Sequence, residues 1–369
     1  MSRKLENDDD QIRELLIEKA CAVKDLDTSL VNKRAATVAA RELLWFEELQ
    51  RTLKGVFGKG WAIPKEYTGP VPVYSERAVN IVLGDLHFGA NLNPEECPVQ
   101  YSSLQESRRL GKIAVQTAQY KPRYRSKSKL IIHLLGDLMQ GNLHDPREGS
   151  ILTDQFAAVV HYLTQFVMYE AAYYPRVEVY ATPGNHGRNT SRHRERAIQE
   201  KYDSFETMAY LAVQAAVNAS GLKNVKFFNS KRPYYTVDIF GSKVFATHGD
   251  TVLNPGNPGK SIDTKSLYNQ ICRWNSANNI NGPFKLFLCG HIHIGSVTNL
   301  PGDVIMLTNG CLVPPDAFAL SIGVPDATNG QYIFESCRDY VCGDQRFIRV
   351  GDADNEPKYN RVIRPYAGF

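Results

Sequence analysis

The chain has 369 residues, 43 of them Lys or Arg and 39 Asp or Glu, for a formal charge of +4; this length admits one large domain with an appendage. So small a basic excess excludes a protein that holds nucleic acid by bulk charge alone, and 43% hydrophobic with 22% charged residues excludes a wholly disordered or collagen-like chain. Seven cysteines without a CxxC pair exclude a disulfide scaffold and a Cys-rich zinc site, and they fit a reducing compartment.

The opening MSRKLENDDD carries four acids and no apolar run, so no secretory signal is expected there. No stretch of 18 apolar residues follows, which makes the cytoplasm the expected address. Over residues 1–54, Leu15, Leu16, Ala20, Val31, Ala35, Val38, Leu49 and Leu53 recur at helical spacing, predicting a helical appendage broken near VKDLDTSLV. Residues 1–60 hold 11 basic and 11 acidic side chains, a balance that favours packing, a protein contact or self-association over DNA reading. Residues 55–78, rich in Gly and Pro, read as a linker.

Residues 79–350 read as the main α/β domain. VNIVLGD, KLIIHLLGD and RVEVYATPGNH are apolar runs ending in Gly and polar residues, the pattern of strands buried on both faces. Amphipathic stretches around Leu110–Ala118, Leu152–Phe166, 202–219 and 264–279 predict helices covering a sheet. After residue 224 the runs VKFFN, YYTVDIF, KVFATHGD, FKLFLCGH, SVTNL and VIMLTNG shorten and alternate, predicting a second, partly antiparallel sheet. QYIFES and RFIRV are expected as edge strands, and 351–369 as an irregular tail.

The chemistry gathers at strand ends: GDLHFG (84–89), GDLMQGN (136–142), GNHGR (184–188), THGD (247–250) and GHIHIG (290–295). Ligands of open α/β sheets bind where the carboxyl ends of strands open into loops. Asp and His there offer oxygen and nitrogen donors for divalent cations. His133, inside an apolar strand, and His161, within a helix, read instead as satisfied structural imidazoles. Asp85, His87, Asp137, Asn185, His248, His291 and His293 exceed the donors one ion takes, so two ions are expected, with Asp137 as a bridge.

These five blocks, in this order across 84–295, resemble the calcineurin-like metallophosphoesterase superfamily, whose pattern runs D-x-H, G-D, G-N-H, H and G-H-x-H. The resemblance implies a sandwich of two mixed β-sheets flanked by helices, with a dinuclear site at one edge. It implies that Asp85, His87, Asp137 and His293 hold one ion, and Asp137, Asn185, His248 and His291 the other. Mn2+ is the leading choice, with Mg2+, Fe2+ or Zn2+ as alternatives. His186 takes the place of the family's catalytic histidine beside the metals, and Gly187 stands where many relatives carry an Asp that orients it.

The pattern further resembles DNA-repair nucleases of the SbcD type and related exonuclease-like phosphoesterases encoded by bacteriophages, which would place the chain in a host cytoplasm. Those nucleases carry His three residues after the second motif's Asp; here the position is Gln140, and the nearest histidine is His144. Arg188 and Arg192 follow the third motif, and the run at 106–129 holds eight Lys or Arg against one Glu, including Arg123 and Arg125, with Tyr120 and Tyr124 interleaved. Arginine forks suit phosphate oxygens, and basic runs with aromatics suit polynucleotides. The expectation is a phosphodiesterase or nuclease acting on DNA. Its rivals are a protein phosphatase, a nucleotide or RNA-end phosphatase, and a metal-stabilised scaffold without turnover.

Overall fold

The computed structural model describes residues 77–97, 99–120, 128–143, 149–189, 200–256, 262–321, 323–324 and 328–368. The expected N-terminal helices, nearly all of the linker, and Arg123, Arg125, Tyr124, His144 and Arg192 lie outside the described residues.

Strands β1 (Ala78–Leu83), β2 (Lys129–Leu134), β3 (Val177–Ala181) and β4 (Val225–Asn229) run parallel, in register from Ala78 opposite Lys129 to Ala181 opposite Asn229. On the other side of β1, β10 (Gly330–Ser336) pairs antiparallel, and β11 (Gly343–Arg349) pairs antiparallel with β10. The order is therefore β11-β10-β1-β2-β3-β4. The second sheet, ordered β5-β6-β7-β9-β8, comprises β5 (Tyr234–Ile239), β6 (Ser242–Thr247), β7 (Phe284–Cys289), β8 (Ser296–Leu300) and β9 (Val304–Thr308). Its inner strands β6, β7 and β9 are parallel, and its outer strands β5 and β8 antiparallel.

Two apolar layers hold the sheets. Ala78, Val82, Ile131 and Leu135 of the first sheet meet Val237, Val244, Ala246, Leu286, Leu288 and Leu307 of the second in one buried cluster. Because strand side chains alternate, Val79, Ile81 and Leu83 are buried on the opposite face, which is covered by α1 (Ser103–Ala118), α2 (Leu152–Ala171) and α3 (Phe205–Ala219). The second sheet's outer face, with Phe245, Phe287, Cys289 and Met306, packs on Leu267 and Ile271 of α4 (Thr264–Ala277). The result is helix, sheet, sheet, helix, the expected sandwich of two mixed sheets.

Three sequence expectations change. VKFFN, assigned to the second sheet, is β4 of the first; it alternates because it is an edge strand with one side open to solvent. QYIFES, expected at an edge, is β10, an interior strand between β1 and β11. The tail after 350 forms two 3-10 turns, Gly351–Asn355 and Pro357–Arg361, seated on α1.

That docking claims part of the basic run. Arg109 grips both oxygens of Asp354 at 2.8 and 2.6 Å, Lys112 pairs with Asp352, and Arg108 donates to Asn360 at 2.9 Å. Tyr120 is fully buried and donates to the Asp344 carbonyl, and Lys129 pairs with Glu178. The described part of the run is thus committed within the fold, and any phosphate contact from it falls to residues outside the described ones. No helix among the described residues is long and apolar enough to cross a membrane.

Candidate metal centre

All five motifs lie just past the carboxyl ends of β1, β2, β3, β6 and β7. There the chain leaves the ladder sharply: Asp85, His87, Asp137, His291 and His293 have φ of 52°, 49°, 52°, 72° and 57°. This left-handed conformation costs a non-glycine residue on the order of 1–3 kcal/mol and persists only where its surroundings enforce it. The D-x-H and H-x-H pairs therefore sit in tight loops, not on strand faces. Backbone bonds lock the loops together: the Asp85 and His87 amides donate to the carbonyls of Gly136 and Asp137, and Leu312 donates to Asp85.

The seven donors named from sequence converge. His87 Nε2 stands 3.3 Å from His293 Nε2, which is 3.5 Å from Asp85 Oδ1. His248 Nε2 lies 3.0 Å from Asp137 Oδ2, 2.9 Å from Asn185 Oδ1 and 3.2 Å from His291 Nδ1. Three overlapping groups could each hold an ion: Asp85, His87 and His293; His87, Asp137 and His186; and Asp137, His248 and His291. Asp137 belongs to two of them. Its Oδ1 accepts the amides of Asn185 at 2.7 Å and His186 at 2.8 Å, which leaves Oδ2 facing the histidines.

The hydrogen bonds on the far side of each ring test whether this set fits a cation. His87 Nδ1–H donates to Gln140 Oε1 at 3.0 Å, and His248 Nδ1–H donates to the Leu135 carbonyl at 2.8 Å. Each Nε2 is thereby turned inward as a lone pair, the arrangement that ligating histidines adopt. Acceptors facing acceptors in a buried space repel unless a positive charge lies among them, so the donor set fits divalent ions.

Ionisation follows the same logic. Burial, together with His186 and His293, holds His87 well below the usual imidazole range, and burial with His248 lowers His291 to about 4. Burial opposes charge on both Asp137 and His248, but their mutual attraction prevails: Asp137 is held well below the carboxylate range and His248 is raised to about 9. Without a cation, a proton occupies the Asp137–His248 gap.

His186 projects from the third motif with Nε2 4.0 Å from Asp137 Oδ2 and Nδ1 2.6 Å from the Gln140 carbonyl. The partner that orients its ring is thus a main-chain carbonyl of the second motif. Arg188 is half-buried two residues on, and its backbone bridges to Ser204.

Sequence reasoning missed the side chains that hold the loops. Glu106 of α1 accepts the Gly89 amide at 2.6 Å, Gln155 of α2 accepts the Gly141 amide at 2.6 Å, and Glu206 of α3 accepts the amides of Leu138 and Gly184. Burial raises Glu106 to about 8; burial and the neighbouring Asp137 raise Glu206 to about 7. The signal available in sequence was a carboxylate or amide in the first turn of an otherwise apolar-faced helix. Lys201, largely buried and paired with Asp250 at the end of the fourth motif, gave no comparable signal.

Two mixed sheets between helices, with strand-end loops converging Asp, Asn and His donors around a shared carboxylate, define the class of metal-dependent phosphoesterases with a candidate dinuclear site. Within that class the chain belongs to the calcineurin-like phosphoesterase family, whose model matches residues 81–295, more than half of the chain. Among solved structures it is similar to a predicted phosphoesterase from Streptococcus pneumoniae (13% identity, 73% of this chain and 97% of that one, TM-score 0.30). It is also similar to an archaeal phosphodiesterase (10%, 73% and 98%, TM-score 0.34) and to a hypothetical protein from Pyrococcus horikoshii (12%, 77% and 94%, TM-score 0.37). No curated protein matches the chain.

Proposed function

We propose that the chain is a phosphodiesterase that cleaves nucleic acid, DNA foremost. Asp85, His87, Asp137 and His293 hold one divalent ion, and Asp137, Asn185, His248 and His291 the other, with Mn2+ the preferred metal. Such ions, when bound, neutralise phosphoryl oxygens and lower the pKa of an attacking water. The observation that carries the reading is the pose of His186: its Nδ1 is fixed on the Gln140 carbonyl and its Nε2 is turned toward Asp137 Oδ2.

As an imidazolium, with Nδ1–H held by the Gln140 carbonyl, His186 carries on Nε2 the proton that it delivers to an oxygen leaving beside the bridging carboxylate, and it is left as the neutral ring. That service matters for the alkoxide of a nucleotide sugar and little for an acidic phenol. Arg188, on the same loop, takes non-bridging phosphate oxygens, and Arg192, Arg123 and Arg125 extend the contact along a polynucleotide backbone. On this reading the chain stands with the SbcD-type and phage-encoded exonuclease-like branch, with Gln140 in place of that branch's histidine.

The deciding assay presents purified protein and Mn2+ with single-stranded DNA, duplex DNA, RNA, a cyclic dinucleotide and a phosphopeptide. Preferential DNA hydrolysis is expected. Turnover confined to the phosphopeptide or to the cyclic dinucleotide overturns the polynucleotide assignment, and no turnover on any arm places the chain in the scaffold class.

A further inference from the structure

The second and third motif loops, which carry Asp137 and Asn185–His186, come from β2 and β3, whose mutual ladder ends at Leu134 opposite Ala181, before either loop begins. Two carboxylates join them. Asp137 Oδ1 takes the amides of Asn185 and His186, so the second motif grips the third. Glu206, entirely buried in the first turn of α3, takes the Leu138 amide on one oxygen and the Gly184 amide on the other, the latter at 2.6 Å. Those amides belong to the residue directly after Asp137 and the residue directly before Asn185. The third loop is thus held on both sides of Asn185, by Glu206 at Gly184 and by Asp137 at His186, and the second loop is tied to the same Glu206 directly after Asp137.

The space Glu206 occupies has a counterpart in the sequence. A Cβ placed on Gly187 would lie 2.7 Å from Glu206 Cβ, 3.3 Å from the Glu206 amide nitrogen and 3.4 Å from Met139 Sδ. A methyl group there meets the stem of the clasping side chain and the start of its helix, not a flexible tip. The Phe205 amide also donates to the Gly187 carbonyl at 2.9 Å, so the third motif and the start of α3 are in direct backbone contact and cannot move apart to make room.

We propose that Glu206 is a positioning residue for the metal centre, a clasp that sets the separation between Asp137 and the Asn185–His186 loop. Gly187 is glycine because the clasp fills the space its side chain would need. The inference rests on the phosphoesterase reading only for its effect on turnover; the clasp is a statement about two amides and two ions.

Four proteins test it: wild type, Glu206→Gln, Gly187→Ala and the double variant. The glutamine keeps size and burial but offers one acceptor oxygen where two amides need one each. Amide exchange in metal-free protein should show Leu138 and Gly184 protected in wild type and at least about tenfold faster in either single variant. Mn2+ affinity, titrated with the metal alone, should fall about 10- to 100-fold, the range seen when supports behind ligands are removed. kcat should fall with it while KM moves little, because no substrate contact is touched.

The double variant should be no worse than the worse single, since both changes break one clasp. Rapid exchange of either amide in wild type overturns the clasp without any variant. Wild-type metal affinity in Glu206→Gln overturns the positioning role, and multiplicative losses in the double variant overturn the link to Gly187. Loss of substrate turnover in every protein, with the exchange and Mn2+ differences intact, overturns the phosphodiesterase reading alone.

Discussion

His133 offers a measurement of what a buried imidazole contributes to this fold. It lies between the two sheets, with Nδ1 2.8 Å from the Tyr235 hydroxyl and Nε2 3.1 Å from Asn80 Oδ1, and its ring is stacked among Tyr180, Tyr235 and Phe334. Burial, aided by Lys129, lowers its pKa from 6.5 to about 3. The unfolded chain therefore binds the proton first, so stability is present above the unfolded pKa and is lost as pH falls toward the folded one. Between pH 7 and pH 5 the shift from 6.5 to about 3 removes about 2 kcal/mol.

Replacing His133 with Phe keeps the stack but leaves Asn80 and Tyr235 each short of a partner, at a cost of about 1–3 kcal/mol per group at neutral pH. Urea denaturation of both proteins with chelator present, at pH 7 and pH 5, should show the stability gap narrowing by about 2 kcal/mol on acidification. All other titrations are common to the two proteins and cancel. A gap that stays constant refutes the assignment of a neutral, acid-sensitive His133.

Asp137→Asn removes the charge of the shared oxygen while keeping the Oδ1 acceptor for Asn185 and His186; turnover should drop at least about a hundredfold with the circular-dichroism spectrum retained. Binding of Mn2+ at pH 7 should release about one proton, because the Asp137–His248 gap, with His248 raised to about 9, holds one that a cation displaces; calorimetry in buffers of different ionisation enthalpy reads it, and buffer-independent heats contradict it. Gly184→Ala should abolish metal binding and lower the unfolding midpoint, since a Cβ there would lie 2.1 Å from Asp137 Oδ1; a variant with wild-type metal content shows that the loop can yield.

The parallel strands and the residues that end them were legible in the sequence for a local reason. A strand buried on both faces is written as a continuous apolar run, and each run here breaks at Gly beside Asp, Asn or His, so strand and donor appear in one short string. Metal donors are also chemically distinctive, and their surplus over one ion's needs pointed to a shared Asp137 before any geometry was known. The burial of His133 was legible likewise, from its apolar neighbours.

Partnership was not legible, because it is settled by chain-distant contacts. VKFFN alternates whether it edges the first sheet or the second, and only pairing with β3 places it. Arg108, Arg109 and Lys112 read as free charge until the tail from 351 folds back upon them. Glu106, Gln155 and Glu206 belong to none of the five motifs; a buried polar group is stable only where partners meet it, and the amides that meet these come from loops that local sequence does not identify. The sequence by itself determined the class of fold and the donors at its strand ends. The tertiary structure alone decided which lone pairs face one another and which side chains hold them there, since orientation depends on hydrogen bonds between segments that no local pattern encodes.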